Sequence, residues 1–154
     1  MGAGDCPPTV AGLAEAVGAE LARAGAVVIC GGLGGVMEAA ARGARSAGGL
    51  TVGFLPGARH GDANPFVDII IVTGFGEGRN VLVARSAHAL LALPGEHGTL
   101  SEIALALKMG RPVVGLGAWR EVAGVVPAET SEEAVRIVLA LAERVHGAPS
   151  GARR

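Results

Sequence analysis

The run Pro94-Gly95-Glu96-His97-Gly98-Thr99-Leu100-Ser101-Glu102 is the stretch of this chain best equipped for chemistry. It follows an apolar run, 88–93, that reads as a buried strand. It leads into 103–109, whose apolar spacing reads as a helix. A glycine-containing turn between a strand and a helix N-terminus makes an anion site. The amides of the first helical turn have no partners within the helix, and the helix dipole favours negative charge there. Thr99 adds a hydroxyl, and Glu102 lies about one turn further in, within reach of whatever the anion anchors. A phosphate site made of Gly95, Glu96, His97, Gly98 and Thr99 with a carboxylate beside it suggests a protein that handles nucleotides. His97 reads equally as a donor to an anion or as a solvated loop residue.

Two further glycine-rich turns stand at the ends of apolar runs. Gly31-Gly32-Leu33-Gly34-Gly35 follows the run 27–30, and the turn 74–78 leads directly to Arg79-Asn80. Open α/β sheets bind ligands along the edge where their strands end, which puts Arg79 in position to meet one. Neither a dinucleotide fingerprint nor a P-loop is present. Gly32-x-Gly34 lacks the third glycine, and the one lysine, Lys108, is far from any such loop. Glu38 reads as structural, and Asp68 receives no role.

The rest of the chain supplies elements to hold these turns. Pro7-Pro8 opens a helix over 9–25 that Gly25 closes. A strand over 27–30, a small-residue helix over 36–46 and a strand over 50–55 follow. After a polar loop come a strand over 67–73, a helix from about Arg79-Asn80, the strand 88–93 and a helix over 100–109. The last strand is read at 112–116. A closing helix over 131–146 carries Glu132 and Glu133 in its first turn, where the dipole favours them. The strands are near-continuous apolar runs, so helices are expected on both faces. The fold class is therefore α/β, a single Rossmann-like doubly wound parallel sheet over residues 1–146, with 147–154 a frayed tail. Such a domain normally opens with a strand, whereas residues 1–7 already read as the turn before the first helix. Gly2, Gly4 and Cys6 look like the end of a strand-to-helix phosphate turn. A start assigned late is favoured over a true absence of the strand, which is central in common doubly wound orders.

Composition narrows the partners. The chain has 154 residues with 13 basic against 14 acidic, no Tyr, one Trp and three Phe. That balance excludes a basic nucleic-acid groove and a base-stacking platform as the main surface. No apolar run is long enough to span a membrane, so the expected location is the cytoplasm. Cys6 and Cys30 are too few for a disulfide framework, and the four His are scattered, so no metal site is expected. Cys30 reads as a buried reduced thiol.

Taken together, Gly31-Gly32-x-Gly34-Gly35-Val36-Met37-Glu38, Gly78-Arg79-Asn80 and Pro94-Gly95-x-x-Gly98-Thr99-x-x-Glu102 resemble the LONELY GUY (LOG)-like Rossmann-fold family, formerly mislabelled lysine decarboxylases. The solitary Lys108 gives the old label no support. The resemblance implies hydrolysis of the N-glycosidic bond of AMP or cytokinin riboside 5′-monophosphates, giving base and ribose 5-phosphate. It assigns Gly95, Gly98 and Thr99 to the phosphate and Arg79 and Glu102 to catalysis. It assigns Gly31, Gly32, Gly34, Met37 and Asn80 to the nucleotide. It implies no metal or redox cofactor, a homodimer or higher homo-oligomer, and a small phosphorylated ligand in place of a nucleic acid or membrane.

Three positions depart from the pattern. Glu96 replaces a motif glycine and puts a carboxylate beside the proposed phosphate. Asn80 stands where a lysine is usual, and Ser101 where the first of two glutamates is usual. These departures bring the chain closer to a sub-branch of the superfamily that is similar to the algal molybdenum-cofactor carrier. The alternative to hydrolysis is thus a non-catalytic binder or carrier of a phosphorylated ligand, nucleotide or pterin, such as molybdenum cofactor.

Overall fold

A computed structural model describes residues 1–147; of the expected tail, residues 148–154 lie outside the described part. Its elements alternate as the apolar periodicities predict. They are α1 (Pro8–Arg23), β1 (Val28–Cys30), α2 (Val36–Ser46), β2 (Thr51–Leu55), β3 (Ile69–Val72), α3 (Asn80–Ser86), β4 (Leu90–Ala92), α4 (His97–Lys108), β5 (Val113–Leu116), β6 (Val125–Ala128) and α5 (Ser131–His146). Glycine ends α1 and α4 as expected. Gly25 takes a φ of 79° after α1, which lets Ala26 N–H donate to Leu21 O at 3.0 Å and closes the last turn. Gly110 does the same after α4, where Arg111 N–H donates to Ala106 O at 2.8 Å. At the start of α5, Thr130 accepts from Glu133 N–H, and the Glu133 carboxylate accepts from Glu129 N–H at 2.9 Å.

The strands form two parallel sheets, ordered β1-β2-β3 and β4-β5-β6. In the second, side chains alternate between two cores. Leu91, Leu93, Val114 and Leu116 pack with residues of α1, α2 and α5, while Leu90, Ala92 and Val113 pack with Ala84 of α3 and Ile103 and Ala106 of α4. This burial on both faces is what makes the strands read as unbroken apolar runs. β3 is less covered. Ile70 packs with Cys30, Met37 and Val67, but Ile69 and Ile71 on the other face remain 46% and 37% exposed. The small-residue helix α2 makes its closest approach to α1. A Cβ at Gly18 would overlap the Ala40 carbonyl, and one at Gly43 would overlap that of Glu15.

Two boundaries differ from the sequence reading. The strand at 112–116 is not the last, because β6 pairs with β5 in parallel as an edge. Pro127 hides β6, since proline is tolerated only where its missing N–H faces away from the ladder, as an edge permits. The helix expected from 100 begins at His97, with Glu96 as its N-cap. The N-terminal residues also depart from a simple turn. The Met1 amine donates to Leu91 O at 2.7 Å, and Leu93 N–H donates to Met1 O at 2.9 Å. That is the bond pattern of a parallel neighbour, and it lays residues 1–3 along the side of β4 opposite to β5.

Candidate functional site

The site is assembled at the ends of β1 and β4, where the glycine turns lead into helices. Because α4 starts at His97, the residues His97, Gly98 and Thr99 form its first turn. Leu100 N–H is the first to close onto the chain, donating to Glu96 O at 3.0 Å. The amides of His97, Gly98 and Thr99 therefore have no partner inside the helix and point from its positive end. Thr99 is 3% exposed, and its hydroxyl lies so close to Gly95 that a Cβ there would overlap it. Gly95 thus acts by leaving room for Thr99.

Arg79 enters from the turn before α3 and is 9% exposed. Its guanidinium lies against the end of β1, where a Cβ on Gly31 would overlap Nη1. That Nη1 atom is fully buried and has no hydrogen-bond partner among the described residues. Glu102 sits one turn into α4 and is 8% exposed. Burial pushes its carboxyl above the usual range; the nearby Met1 ammonium and Arg79 pull it back, and Glu77 pushes it further up. Burial also pushes the Met1 amine down and the Cys30 thiol up. Cys30 is a free thiol, as expected, and its Sγ accepts from Gly32 N–H at 3.4 Å.

A cavity of about 920 Å³ brings together Gly31, Met37, Arg79, Asn80, Glu96, Gly98, Thr99 and Glu102 from the residues singled out in the sequence. Gly32, Gly34, Gly95 and His97 do not border it. Gly32 instead faces Leu55 and Gly53, across the sheet. Glu96 is exposed at the rim, and His97 is exposed beside it. Asn80 is buried and donates to the Ser101 hydroxyl at 3.0 Å. Sequence reasoning did not assign Glu77 or residues 1–4 to the site, yet all border the cavity. Gly2 and Gly4 were the available signal, read there only as a truncated turn. No group of three or more His, Cys, Asp or Glu among the described residues is placed to hold a metal ion. No helix among them is long and apolar enough to cross a membrane. A guanidinium with an unpartnered Nη1, a set of free amides and a hydroxyl around one cavity can hold a phosphate, and Glu102 borders the same cavity.

Comparison with known proteins gives the chain's family and its structural relatives. The SLOG cluster4 family model matches residues 1–145, and the chain belongs to that family. An uncharacterised protein of Archaeoglobus fulgidus is 48% identical over 136 residues, which is 88% of this chain and 89% of the relative. The molybdenum cofactor binding protein of the phototrophic bacterium Rippkaea orientalis has 36% identity and a TM-score of 0.85, over 88% of this chain and 90% of that one. The molybdenum cofactor carrier protein of Chlamydomonas reinhardtii has 35% identity and a TM-score of 0.83, over 92% of each chain.

Proposed function

From membership of the SLOG cluster4 family, we propose that the protein binds a phosphate-bearing small molecule at the N-terminus of α4 and carries it unchanged. Molybdenum cofactor is the cargo suggested by the similar binding and carrier proteins. The observation behind this reading is Arg79 Nη1, buried without a partner on the cavity that the α4 amides also border. A buried donor without an acceptor is costly, and a phosphate would supply both the acceptor and the geometry a guanidinium fits. Gly98 and Thr99 amides and the Thr99 hydroxyl would complete its coordination. Asn80 and Ser101, which bond each other, replace two charges of the LOG-like pattern, and this favours carrying over catalysis.

Hydrolysis of nucleoside 5′-monophosphates is the second reading, favoured by one observation: Arg79 and Glu102 border the same cavity. There the carboxylate would stabilise an oxocarbenium-like ribose and align water as the base departs. In either reading the protein acts in the cytoplasm as a homodimer or higher homo-oligomer, with the exposed Ile69 and Ile71 offering a second copy an apolar face.

Titration with molybdenum cofactor, AMP and a cytokinin ribotide, with chromatography for free base on the same samples, separates the readings. The expected result is cofactor binding without base release, weakened about tenfold or more by Arg79→Ala. Base release that disappears in Glu102→Gln would make the protein a phosphoribohydrolase. Binding of none of the three would remove the anion site itself, and static light scattering tests the oligomer.

A further inference from the structure

The carbonyl of Leu93, where the chain leaves β4 for the anion turn, is held by a side chain from a distant loop. Leu93 N–H donates to Met1 O at 2.9 Å, and the next bond of that parallel pairing would run from Ala3 N–H to Leu93 O. Ala3 N–H goes instead to Pro94 O at 3.3 Å, one residue further on. The Leu93 carbonyl accepts from the indole N–H of Trp119 at 2.9 Å. The pairing therefore slips by one residue just ahead of Gly95, which stands against both Ala3 N and the Thr99 hydroxyl.

Trp119 makes this bond from a strained backbone. It lies between β5 and β6, where the chain folds back so closely that a Cβ on Gly115 would overlap the Ala118 carbonyl. Its φ is 67°, and it is the one residue other than glycine with a positive φ among the described residues. That left-handed conformation is unfavourable for any residue with a Cβ, and an observed outlier of this kind points to a role that outweighs it. Glycine at 119 would remove the strain and lose the indole. The ring also packs against the cluster that includes Ala92 and Ile103. An apolar side chain without an N–H could fill that place, so the bond to Leu93 is what the indole adds.

We propose that Trp119 is a positioning residue of the anion site, its indole fixing the Leu93 carbonyl and with it the direction in which the chain enters the first turn of α4. The inference rests on the reading of that turn as a phosphate cradle. Trp119 does not border the cavity, whereas Leu93, Gly98 and Thr99 do, so it acts through the backbone and never touches the ligand. Amides that must converge on one anion depend on the path of the chain that carries them, and a cradle set in advance loses less on binding.

The test is a titration with inorganic phosphate, followed by the amide NMR signals of Gly98 and Thr99. Trp119→Phe keeps an aromatic ring, loses the N–H and should weaken phosphate binding about fivefold. The chain has one Trp, so replacing tryptophan by an analogue during expression changes this position alone. Benzothienylalanine, with sulfur in place of the N–H, should weaken binding to the same extent at nearly unchanged ring shape. A fluorotryptophan, which keeps the N–H, should bind phosphate as the wild type does. Val125→Ala trims the same apolar cluster and should lower the melting temperature at unchanged affinity. Wild-type affinity in both proteins that lack the N–H would overturn the proposal and leave the phosphate site standing. An equal loss of affinity in Val125→Ala would also overturn it, because the effect would then follow stability alone. If phosphate moves neither amide in the wild type, the anion site itself fails and this role for Trp119 falls with it.

Discussion

The Asn80 side-chain amide donates to the Ser101 hydroxyl at 3.0 Å, and that hydroxyl donates in turn to the Gly98 carbonyl at 2.7 Å. These are the positions where the LOG-like pattern carries lysine and glutamate. The two departures are therefore one coupled change, in which a neutral relay ties α3 to the first turn of α4. That turn supplies the free amides of the anion cradle, so the relay positions the cradle without adding charge to it.

Ser101→Ala leaves the Asn80 amide, on a residue only 6% exposed, without its acceptor. The expected cost is about 1–3 kcal/mol for a buried donor left unsatisfied. Adding Asn80→Ala should cost much less than the sum of the two single changes, since each alone breaks the same bond. Denaturant melts of the four proteins in the cycle check this. Additive costs would mean the relay does not hold α3 to α4.

Gly31 matters through the space it leaves for Arg79. A Cβ there would overlap the guanidinium, and Gly31 is not among the positive-φ residues, so its own backbone accepts alanine. Gly31→Ala should therefore displace Arg79 while leaving β1 in place. Sulfate affinity should fall about tenfold, the loss expected for one misplaced charge-assisted contact. A fall of similar size in Arg79→Ala, with no further loss in the double variant, would tie both effects to one guanidinium. Unchanged affinity in Gly31→Ala would mean the arginine reaches the anion from elsewhere.

Arg79→Met separates folding from function. Without ligand, the buried Nη1 lacks a partner, so replacing the side chain with an apolar one of similar length should keep or raise stability. The same change should weaken anion binding, because the cavity loses its buried cation. A thermal melt and a sulfate titration of one preparation read both. A large loss of stability in Arg79→Met would show that the arginine holds the fold together and would weaken its assignment to the ligand.

How far these features could be read from the sequence depended on the kind of signal each leaves. Buried parallel strands and glycine-ended helices were legible because each has its own local pattern: Val113–Leu116 is apolar throughout, and Gly25 and Gly110 stand just past the helices they close. β6 was not, because Val125–Ala128 is short, contains Pro127 and is recognisable only by its pairing with β5. The start of α4 was placed late because Gly98 and Thr99 are weak helix formers, although the first turn tolerates them at little cost. Arg79, Thr99 and Glu102, which border one cavity, stood out in the sequence because charged or polar types stand beside glycine turns. Glu77 and the backbone of residues 1–4 reach the cavity only through the fold, and no residue pattern announces that.

The raised pKa of Glu102 gives binding and stability a pH dependence with a definite sign. Burial is the largest cause, so the folded carboxyl titrates above the ordinary value of 4.5 expected when it is unfolded. Between those two pKa values the folded protein holds a proton that the unfolded chain has lost. This contribution to stability therefore falls as pH rises through that window and is level above it. Glu102→Gln keeps the shape and removes the titration. It should flatten this acid-side slope and raise stability at neutral pH. Sulfate keeps its charge across the range, so its affinity should rise for the wild type as pH falls and Glu102 becomes neutral. An equal pH slope with and without the Glu102→Gln change would place the titrating group elsewhere.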